Sequence, residues 1–320
     1  MKPTVVIGYP GFGDIEIERE ILRSIDAHIV HTGATDTPAA MQAVCHADAL
    51  MVTIQPVAAD LIASMERCRI IARVGTGLDA IDLDAATRQG VWVTYVPDYS
   101  IDEVSTHTIT LLLAQARGIA PLLGATRAGT WDSSGVTVRR LQGQVLGLIG
   151  CGRIGLATAA KGRGLGLEVI AYDPYAPAET LASAGVRAVE LPALLREADF
   201  VSLHTPLTRD NRHLVNAAVL AQMKRSAYLI NTSRGPLIDE AALLDAVRAG
   251  TIAGAALDVL SVEPPDADNQ LLHEARILIT PHIAWYSEEA KVDVRRRGAE
   301  EVVRVLRNEP PRAPVNRVFP

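Results

Sequence analysis

An apolar run leads directly into a glycine-rich turn in residues 145–155, which read VLGLIGCGRIG. Val145–Ile149 predicts a buried β-strand, and the residues after the turn suit a helix. The spacing G-x-G-x-x-G between a strand and a helix is typical of the turn that holds a dinucleotide pyrophosphate. Its glycines permit close backbone approach, and the helix N-terminus supplies N–H donors. The residues predicted to bind such a cofactor are Gly150, Gly152, Arg153, Ile154 and Gly155.

An acidic residue follows at the distance that this motif requires. The next strand-like run, Val169–Tyr172, ends in Asp173, eighteen residues after Gly155. A carboxylate at this point accepts hydrogen bonds from the adenosine ribose hydroxyls and repels a 2′-phosphate. Neither Pro174 nor Tyr175, which follow, is basic, so NAD is favoured over NADP. The alternative for Asp173 is a solvated aspartate in an ordinary strand–helix turn.

Short apolar runs alternate with amphipathic segments along the chain, which predicts an α/β fold with helices on both faces of parallel sheets. The first series of predicted strands is Val5–Gly8, Ile29–His31, Ala49–Ile54, Ile70–Val74 and Val91–Val96. The second series is Val145–Ile149, Val169–Tyr172, Val201–His204, Tyr228–Asn231, Ala255–Val259 and Ile277–Thr280. Helices are predicted over Ile15–Ile25, Leu83–Gln89, Ile101–Arg117 and Glu288–Leu306. Two α/β units follow, roughly residues 1–98 and 99–285, and these patterns leave the last helix open to either.

The composition sets the class of protein. At 320 residues the chain exceeds the length at which single cores usually stop growing, so two domains are expected. Hydrophobic residues make up 48% and charged residues 21%, which suffices for a large core. The net charge of −6 and the pI of about 5.8 argue against nucleic acid as a partner.

No targeting or membrane-spanning segment is expected, because apolar runs such as Ile109–Ala114 are far too short to cross a bilayer. Cys45, Cys68 and Cys151 form no C-x-x-C pair, as expected of a protein in the reducing cytoplasm. The histidines show no H-E-x-x-H or similar spacing, so no metal is expected.

Three residues beyond the glycine turn have complementary chemistry. Arg234, Glu263 and His282 each lie just past a predicted strand, and open α/β sheets bind ligands outside the carboxyl ends of their strands. A histidine can exchange a proton with a hydroxyl, and a carboxylate beside it fixes its ring. A guanidinium offers paired donors to a substrate carboxylate. Singly, the three could be a structural salt bridge, a surface acid and a capping residue; together they favour a catalytic site.

The motifs Gly150–Gly155, Asn231–Pro236, Gly254–Pro264 and Pro281–Trp285 resemble those of the D-isomer-specific 2-hydroxyacid dehydrogenase family, and the similarity extends to Arg73–Asp79. The resemblance implies an NAD-dependent oxidoreductase that moves a hydride between NAD(H) and the C2 of a small 2-hydroxy or 2-oxo acid. It also implies a catalytic set, in which a glutamate–histidine pair exchanges the proton and an arginine binds and polarises the substrate. These residues are Arg234, Glu263 and His282.

The family resemblance further implies which residues line the two ligand sites. The cofactor would meet His204, Thr205, Pro206, Asn211, Thr232, Ser233, Asp258, His282 and Ala284, besides the glycine turn and Asp173. The substrate would meet Arg73, Val74, Gly75, Thr76, Arg234, His282 and Trp285.

The implied architecture is two Rossmann-like, doubly wound parallel-sheet domains with a cleft between them. The substrate domain is discontinuous, residues 1–98 plus 286–320, and the NAD-binding domain spans residues 99–285. The helix that starts at Ile101 would belong to a homodimer contact made by the NAD-binding domain.

The run Ala284–Glu288 resembles the C-terminal binding protein branch of the family, whose animal members are NAD-sensing transcriptional corepressors. That likeness places Trp285 in the substrate pocket, favouring an apolar or extended side chain; a buried hinge anchor is the alternative. An NAD(H)-sensing dimeric binding protein with little turnover is a second functional hypothesis. The absence of extended regulatory tails weakens this scaffold role.

Within the enzyme class, phosphoglycerate dehydrogenase and hydroxypyruvate or glyoxylate dehydrogenase remain alternatives. Phosphoglycerate dehydrogenase is disfavoured by the missing regulatory extension and by the lack of an evident phosphate-binding arginine cluster in the first domain.

Overall fold

Strands and helices alternate throughout the computed structural model, which describes residues 2–10 and 12–318. The chain divides into two compact units, Met1–Tyr99 with Ser287–Pro320, and Ser100–Tyr286.

The first unit begins with β1 (Thr4–Ile7), α1 (Glu16–Leu22), β2 (His28–His31), α2 (Pro38–Cys45), β3 (Ala49–Val52), α3 (Ala59–Ala63), β4 (Ile70–Arg73), α4 (Leu83–Arg88) and β5 (Trp92–Thr94). The second contains α5 (Ile101–Ala116), α6 (Ile119–Arg127), β6 (Val145–Ile149), α7 (Arg153–Gly164), β7 (Glu168–Tyr172), α8 (Ala178–Ser183), β8 (Arg187–Ala188), α9 (Leu191–Glu197), β9 (Phe200–Leu203), α10 (Ala217–Leu220), β10 (Tyr228–Asn231), α11 (Glu240–Arg248), β11 (Gly254–Leu257) and β12 (Ile277–Ile279). Helix α12 (Glu288–Leu306) belongs to the first unit.

Within the described residues of the first unit, five parallel strands form one sheet in the order β2-β1-β3-β4-β5. Helix α12 covers one face, where Val294 and Val302 share a core with Val5 and Ile7. Strand β3 is buried along its whole length because helices cover both faces of the sheet. The long helix predicted at the carboxyl end of the sequence thus completes the sheet that the first residues begin.

A buried ion pair also joins α12 to α1 and to the loop that precedes α1. The Arg295 guanidinium donates to both carboxylate oxygens of Glu18, at 2.8 and 2.7 Å, and to Asp14. The Tyr9 hydroxyl donates to Glu18 at 2.7 Å. A charge buried this deeply needs such partners, since an unpaired one would cost several kcal/mol.

In the second unit, every residue of which is described, seven parallel strands run in the order β12-β11-β10-β9-β6-β7-β8. Neighbouring residues of β10 enter different cores, Leu229 on one face and Ile230 on the other. The chain order reverses between β6 and β9, and such a switch point is where open α/β sheets bind ligands, outside the carboxyl ends of the strands.

The predicted fold class is confirmed, with differences at element ends. Strands β6 and β10 and helix α12 have the predicted bounds. The strand predicted to reach Ile54 ends at Val52, because the Gln55 side chain accepts from the Thr53 amide and turns the chain. Strand β8 was missed: it is a two-residue strand at the sheet edge with no buried side chain.

Over residues 2–10 and 12–318, no single helix has the length and hydropathy to cross a membrane. Helices α5 and α6 meet those two criteria only when taken together, and they are bent by 62°. The same residues contain no group of three or more His, Cys, Asp or Glu side chains placed to hold a metal ion.

Candidate active site

The glycine turn passes tightly against the end of β9. Gly150 has φ +88°, and an added Cβ would lie 2.8 Å from the His204 carbonyl carbon and oxygen. An added Cβ on Gly155 would lie 2.8 Å from the Gly150 carbonyl oxygen. Gly152 is the N-cap of α7 and has open space around it, so the positive end of the helix dipole is accessible at the turn. Such a cradle suits a dinucleotide pyrophosphate.

Asp173 is part of this turn. One carboxylate oxygen accepts from the Cys151 amide at 2.7 Å, and the other accepts from the Tyr175 and Ala176 amides at 2.9 and 3.1 Å. A carboxylate offers about four acceptor positions, so these three bonds leave room for another donor. The end of β7 is thereby joined to the glycine turn, and contact between Asp173 and a ribose stays a prediction.

The loop after β9 lies beside the glycine turn. His204 shares a hydrogen bond with the Ser202 hydroxyl at 3.0 Å, and burial lowers the pKa of His204 to about 4. Its imidazole is therefore neutral at neutral pH. Asn211 folds the loop: its amide donates to the Pro206 carbonyl at 2.7 Å and its oxygen accepts from the Thr208 amide at 2.7 Å. The structure thus brings His204, Thr205 and the glycine turn together.

The Arg234 turn is built on Asn231, the buried last residue of β10. The Asn231 side chain donates to the Arg234 carbonyl at 2.8 Å and accepts from the Ser233 amide at 2.9 Å. The Ser233 hydroxyl donates to the Leu203 carbonyl at 2.8 Å, which joins this turn to the end of β9. Asn231 lies in the motif Asn231–Pro236, but the sequence did not predict that its side chain holds the Arg234 turn.

Gly235 lets the Arg234 turn meet the loop that carries Glu263. A Cβ on Gly235 would overlap the backbone of Leu260 and Ser261. Because no side chain intervenes, the turn after β10 packs directly on the loop after β11. This close approach brings the positive charge of Arg234 near enough to Glu263 to lower the pKa of that carboxyl.

Glu263 and His282 form a short hydrogen bond. The distance from Glu263 Oε2 to His282 Nδ1 is 2.5 Å, and Glu263 Oε1 accepts from the Leu260 amide at 2.8 Å. Burial alone would raise the pKa of Glu263, but the hydrogen bonds from His282 and Leu260, together with the His282 and Arg234 charges, lower it below its ordinary value. The carboxylate is therefore ionised at neutral pH, as a partner of a catalytic histidine needs to be.

Asp258 organises the loop that carries His282. Its carboxylate, only 1% exposed, accepts from the Ile283 and Ala284 amides at 3.0 and 2.9 Å and from the Thr280 hydroxyl at 2.5 Å. Its carbonyl accepts from the His282 amide at 2.8 Å. Sequence reasoning gave Asp258 only a cofactor contact and missed this role. The role of Thr280 as a donor to Asp258 was also missed. The only feature of the sequence that points to Thr280 is its position two residues before His282.

Ala284 is buried, whereas Trp285 is partly exposed and makes an edge contact with Tyr286, at 5.6 Å between ring centroids. Both interpretations of Trp285, pocket wall and hinge anchor, stay predictions.

The predicted substrate residues Arg73, Val74, Gly75 and Thr76 form a turn in the first unit. Arg73 donates to the Gly77 carbonyl at 2.7 Å and the Val74 carbonyl at 2.8 Å. The Thr76 hydroxyl donates to the Val96 carbonyl at 2.9 Å. Gly75 has φ +151°, and a Cβ there would overlap the Arg73 guanidinium, so glycine is required for Arg73 to fold over the turn.

Comparison with known proteins matches residues 109–284 to the family model described as D-isomer specific 2-hydroxyacid dehydrogenase, NAD binding domain. The D-3-phosphoglycerate dehydrogenase of Methanocaldococcus jannaschii is 39% identical over 292 residues, covering 91% of this chain and 55% of that protein. The glycerate dehydrogenase of Methylorubrum extorquens is 38% identical over 253 residues, covering 76% of this chain and 78% of that protein.

Solved structures give the same picture over nearly the full chain. The D-lactate dehydrogenase of Aquifex aeolicus, complexed with NAD and lactic acid, superposes with a TM-score of 0.87 at 28% identity, covering 96% of both chains. The present chain spans about half the length of the phosphoglycerate dehydrogenases that it matches.

Proposed function

Because the chain belongs to the D-isomer-specific 2-hydroxyacid dehydrogenase family and contains its NAD-binding domain, we propose that it is an NAD-dependent oxidoreductase of small 2-hydroxy and 2-oxo acids. The observation that carries the proposal is the Glu263–His282 hydrogen bond, formed beside the Arg234 turn at the carboxyl ends of β10 to β12. This is the arrangement of base, orienting acid and cation that proton exchange at a substrate hydroxyl requires.

The glycine turn, the N-terminus of α7 and Asp173 would hold the cofactor. The fit rests on Gly150 and Gly155, where any side chain would collide with the backbone. Bound NADH supplies the hydride that reduces C2 of an oxo acid.

His282 exchanges the proton. Its Nδ1 is engaged by Glu263, so Nε2 is the nitrogen that faces a substrate oxygen. During reduction Nε2–H donates its proton to the oxygen on C2, and during oxidation neutral Nε2 accepts the hydroxyl proton. The ionised Glu263 keeps the ring oriented and stabilises its charged form.

Arg234 binds and polarises the substrate. Its guanidinium carries donors in a planar fork that matches a carboxylate, and a positive charge near the oxygen on C2 stabilises the developing alkoxide. The Asn231 side chain fixes the turn that presents it.

NADH oxidation, followed by absorbance against a panel of 2-oxo acids, tests the proposal. The panel contains glyoxylate, hydroxypyruvate, its 3-phosphate, pyruvate, phenylpyruvate and 4-methylthio-2-oxobutyrate, because relatives are named for phosphoglycerate, glycerate and lactate. We expect rapid turnover of at least one acid with NADH. A preference for the larger side chains would support Trp285 as a pocket wall. Tight NADH binding without turnover of any acid would contradict the proposal and favour the cofactor-sensing alternative.

Replacing Asp173 with Arg is expected to shift cofactor preference from NADH towards NADPH by about tenfold or more. The variant loses the carboxylate that accepts from ribose and gains a charge that attracts a 2′-phosphate; hydrogen bonds to charged groups contribute about 1.5–3 kcal/mol. The measurement is the ratio of kcat/KM for NADH and NADPH. Asp173→Asn, which keeps an acceptor for the Cys151 amide, is the control that separates charge from turn geometry. An unchanged ratio in Asp173→Arg would show that another residue discriminates the cofactors.

We also propose a homodimer formed by the second unit. None of the nine residues of α6, all of them described, is buried; Ile119 and Leu123 in this helix and Val138 beyond it are exposed apolar side chains. Trp131 is 92% exposed. So many exposed apolar side chains within residues 119–138 favour a protein–protein contact on this segment.

Trp131→Ser is therefore expected to weaken the dimer by about 30-fold or more, since truncating a central interface tryptophan typically costs at least about 2 kcal/mol. Light scattering over a dilution series measures the effect. Leu272→Ser removes an exposed apolar side chain elsewhere in the second unit and should leave the dimer intact. Equal dissociation of wild type and Trp131→Ser would place the dimer contact elsewhere.

We place the protein in the cytoplasm as a further proposal. All three cysteines, each in the described part of the chain, are free. Burial raises the pKa of Cys68 to about 12 and of Cys151 to about 11, so both thiols stay protonated, as suits a reducing compartment. Fractionation of cells that express the chain tests this placement.

A further inference from the structure

Two neighbouring residues of α5 contact both loops of the candidate active site. His107 Nε2 lies 3.0 Å from the Thr280 hydroxyl, in the loop that carries His282. Thr108 Oγ1 lies 2.8 Å from the Thr232 hydroxyl, in the turn that carries Arg234. The local sequence around His107 and Thr108 does not predict these contacts, because they join residues that lie 173 and 124 positions apart.

The direction of the His107 contact follows from proton counting. A threonine hydroxyl has one proton, and Thr280 donates it to Asp258 Oδ1 at 2.5 Å. Thr280 must therefore accept from His107, so His107 carries its proton on Nε2. A directed chain of hydrogen bonds runs from His107 through Thr280 to the buried Asp258 carboxylate, and His107 Nε2 itself lies 3.5 Å from Asp258 Oδ1.

Asp258 connects this chain of hydrogen bonds to the loop that carries His282. The same carboxylate accepts the Ile283 and Ala284 amides, so the chain of hydrogen bonds ends immediately after His282. His282 itself has φ +51°. Residues other than glycine are strained in this left-handed region, and such a conformation persists only where its surroundings hold it.

We propose that His107 and Thr280 are positioning residues, which act through Asp258 to hold the His282 loop in its left-handed conformation. Neither residue needs to touch substrate. Their importance for catalysis rests on the function proposed above, whereas the restraint itself can be measured without turnover.

The experiment compares His107→Leu, His107→Gln and Thr280→Val with wild type. Leucine removes the donor, glutamine returns an N–H close to the position of Nε2, and valine removes the hydroxyl while keeping the shape. Amide hydrogen exchange of the peptide that contains residues 282–284 reports the restraint. Steady-state kinetics report kcat and KM separately.

We expect exchange in this peptide to accelerate about tenfold in His107→Leu and Thr280→Val, with kcat falling by a similar factor. His107→Gln should restore most of both. The double variant should be no worse than either single one, because both substitutions break the same chain. His46→Leu, which removes an exposed histidine paired with Glu66, is the matched control and should leave both readouts unchanged.

Unchanged exchange in His107→Leu and Thr280→Val would overturn the proposal, and so would additive losses without rescue by glutamine. A wild-type chain that turns over no 2-oxo acid would contradict the proposed function alone, because the exchange measurement still decides whether His107 and Thr280 hold the loop.

Discussion

His282→Ala is expected to lower turnover of the preferred 2-oxo acid by about 10²–10⁴-fold while NADH still binds, since this is the usual size of general acid–base catalysis. The structure gives the reason. His282 is the partner of Glu263 at 2.5 Å, and its ring nitrogen Nε2 is the group oriented for proton exchange. Alanine leaves the glycine turn and Asp173 in place, so the cofactor site should survive.

Single-turnover kinetics with saturating NADH measure the loss, and NADH fluorescence titration measures binding. His273→Ala is the matched control, because His273 is an exposed histidine of the same unit, and its Nε2 lies 3.0 Å from the Ala267 carbonyl oxygen. Glu263→Gln keeps a hydrogen-bond acceptor but removes the charge, so its loss should be smaller. Full turnover in His282→Ala would disprove the assignment of this residue.

Gly235→Ala is expected to give the second large effect, a loss of about 1–3 kcal/mol or more of unfolding free energy together with a large fall in kcat. The added methyl group would overlap the Leu260 and Ser261 backbone, which has no rotamer with which to move aside. The Arg234 turn and the Glu263 loop would have to separate, which would draw the arginine away from the acid–base pair.

Urea unfolding and steady-state kinetics measure the two parts of this prediction. Gly164→Ala is the control: a Cβ there meets no atom within 4 Å, and alanine is the better helix former, so stability should hold or rise. A Gly235→Ala enzyme with normal kcat would show that the two loops need not touch.

The sequence was informative where function depends on local pattern. The alternation of strands and helices predicted both sheets, and β6 with its glycine turn was located to the residue, because hydrophobic periodicity and glycine spacing are short-range signals. Arg234, Glu263 and His282 were singled out because each lies beyond a predicted strand, and their catalytic role stays a prediction. The close packing of the Arg234 turn on the Glu263 loop at Gly235 was not predictable, because a close approach between backbones 25 residues apart leaves no local pattern.

The role of Asp258 was missed for a related reason. From the sequence alone, Asp258 was predicted only to contact the cofactor. In the structure its carboxylate accepts hydrogen bonds from amides 25 and 26 residues away and from a hydroxyl 22 residues away. Helix ends were similarly hard to place: the helix predicted over Ile15–Ile25 ends at Leu22, continues as a 3-10 turn and stops at Asp26, which adopts φ +51°. Tertiary contacts decide such points.

The position of α12 at the end of the sequence has a consequence for folding during synthesis. It supplies Val294, Ala299 and Val302 to the core that β1 and β3 begin, yet the whole second unit lies between them in the chain. A ribosome therefore finishes Ser100–Tyr286 before the first sheet can be covered, so the unit that starts first is completed last. During that interval one apolar face stays uncovered, and nascent chains are most exposed there to aggregation and to chaperones.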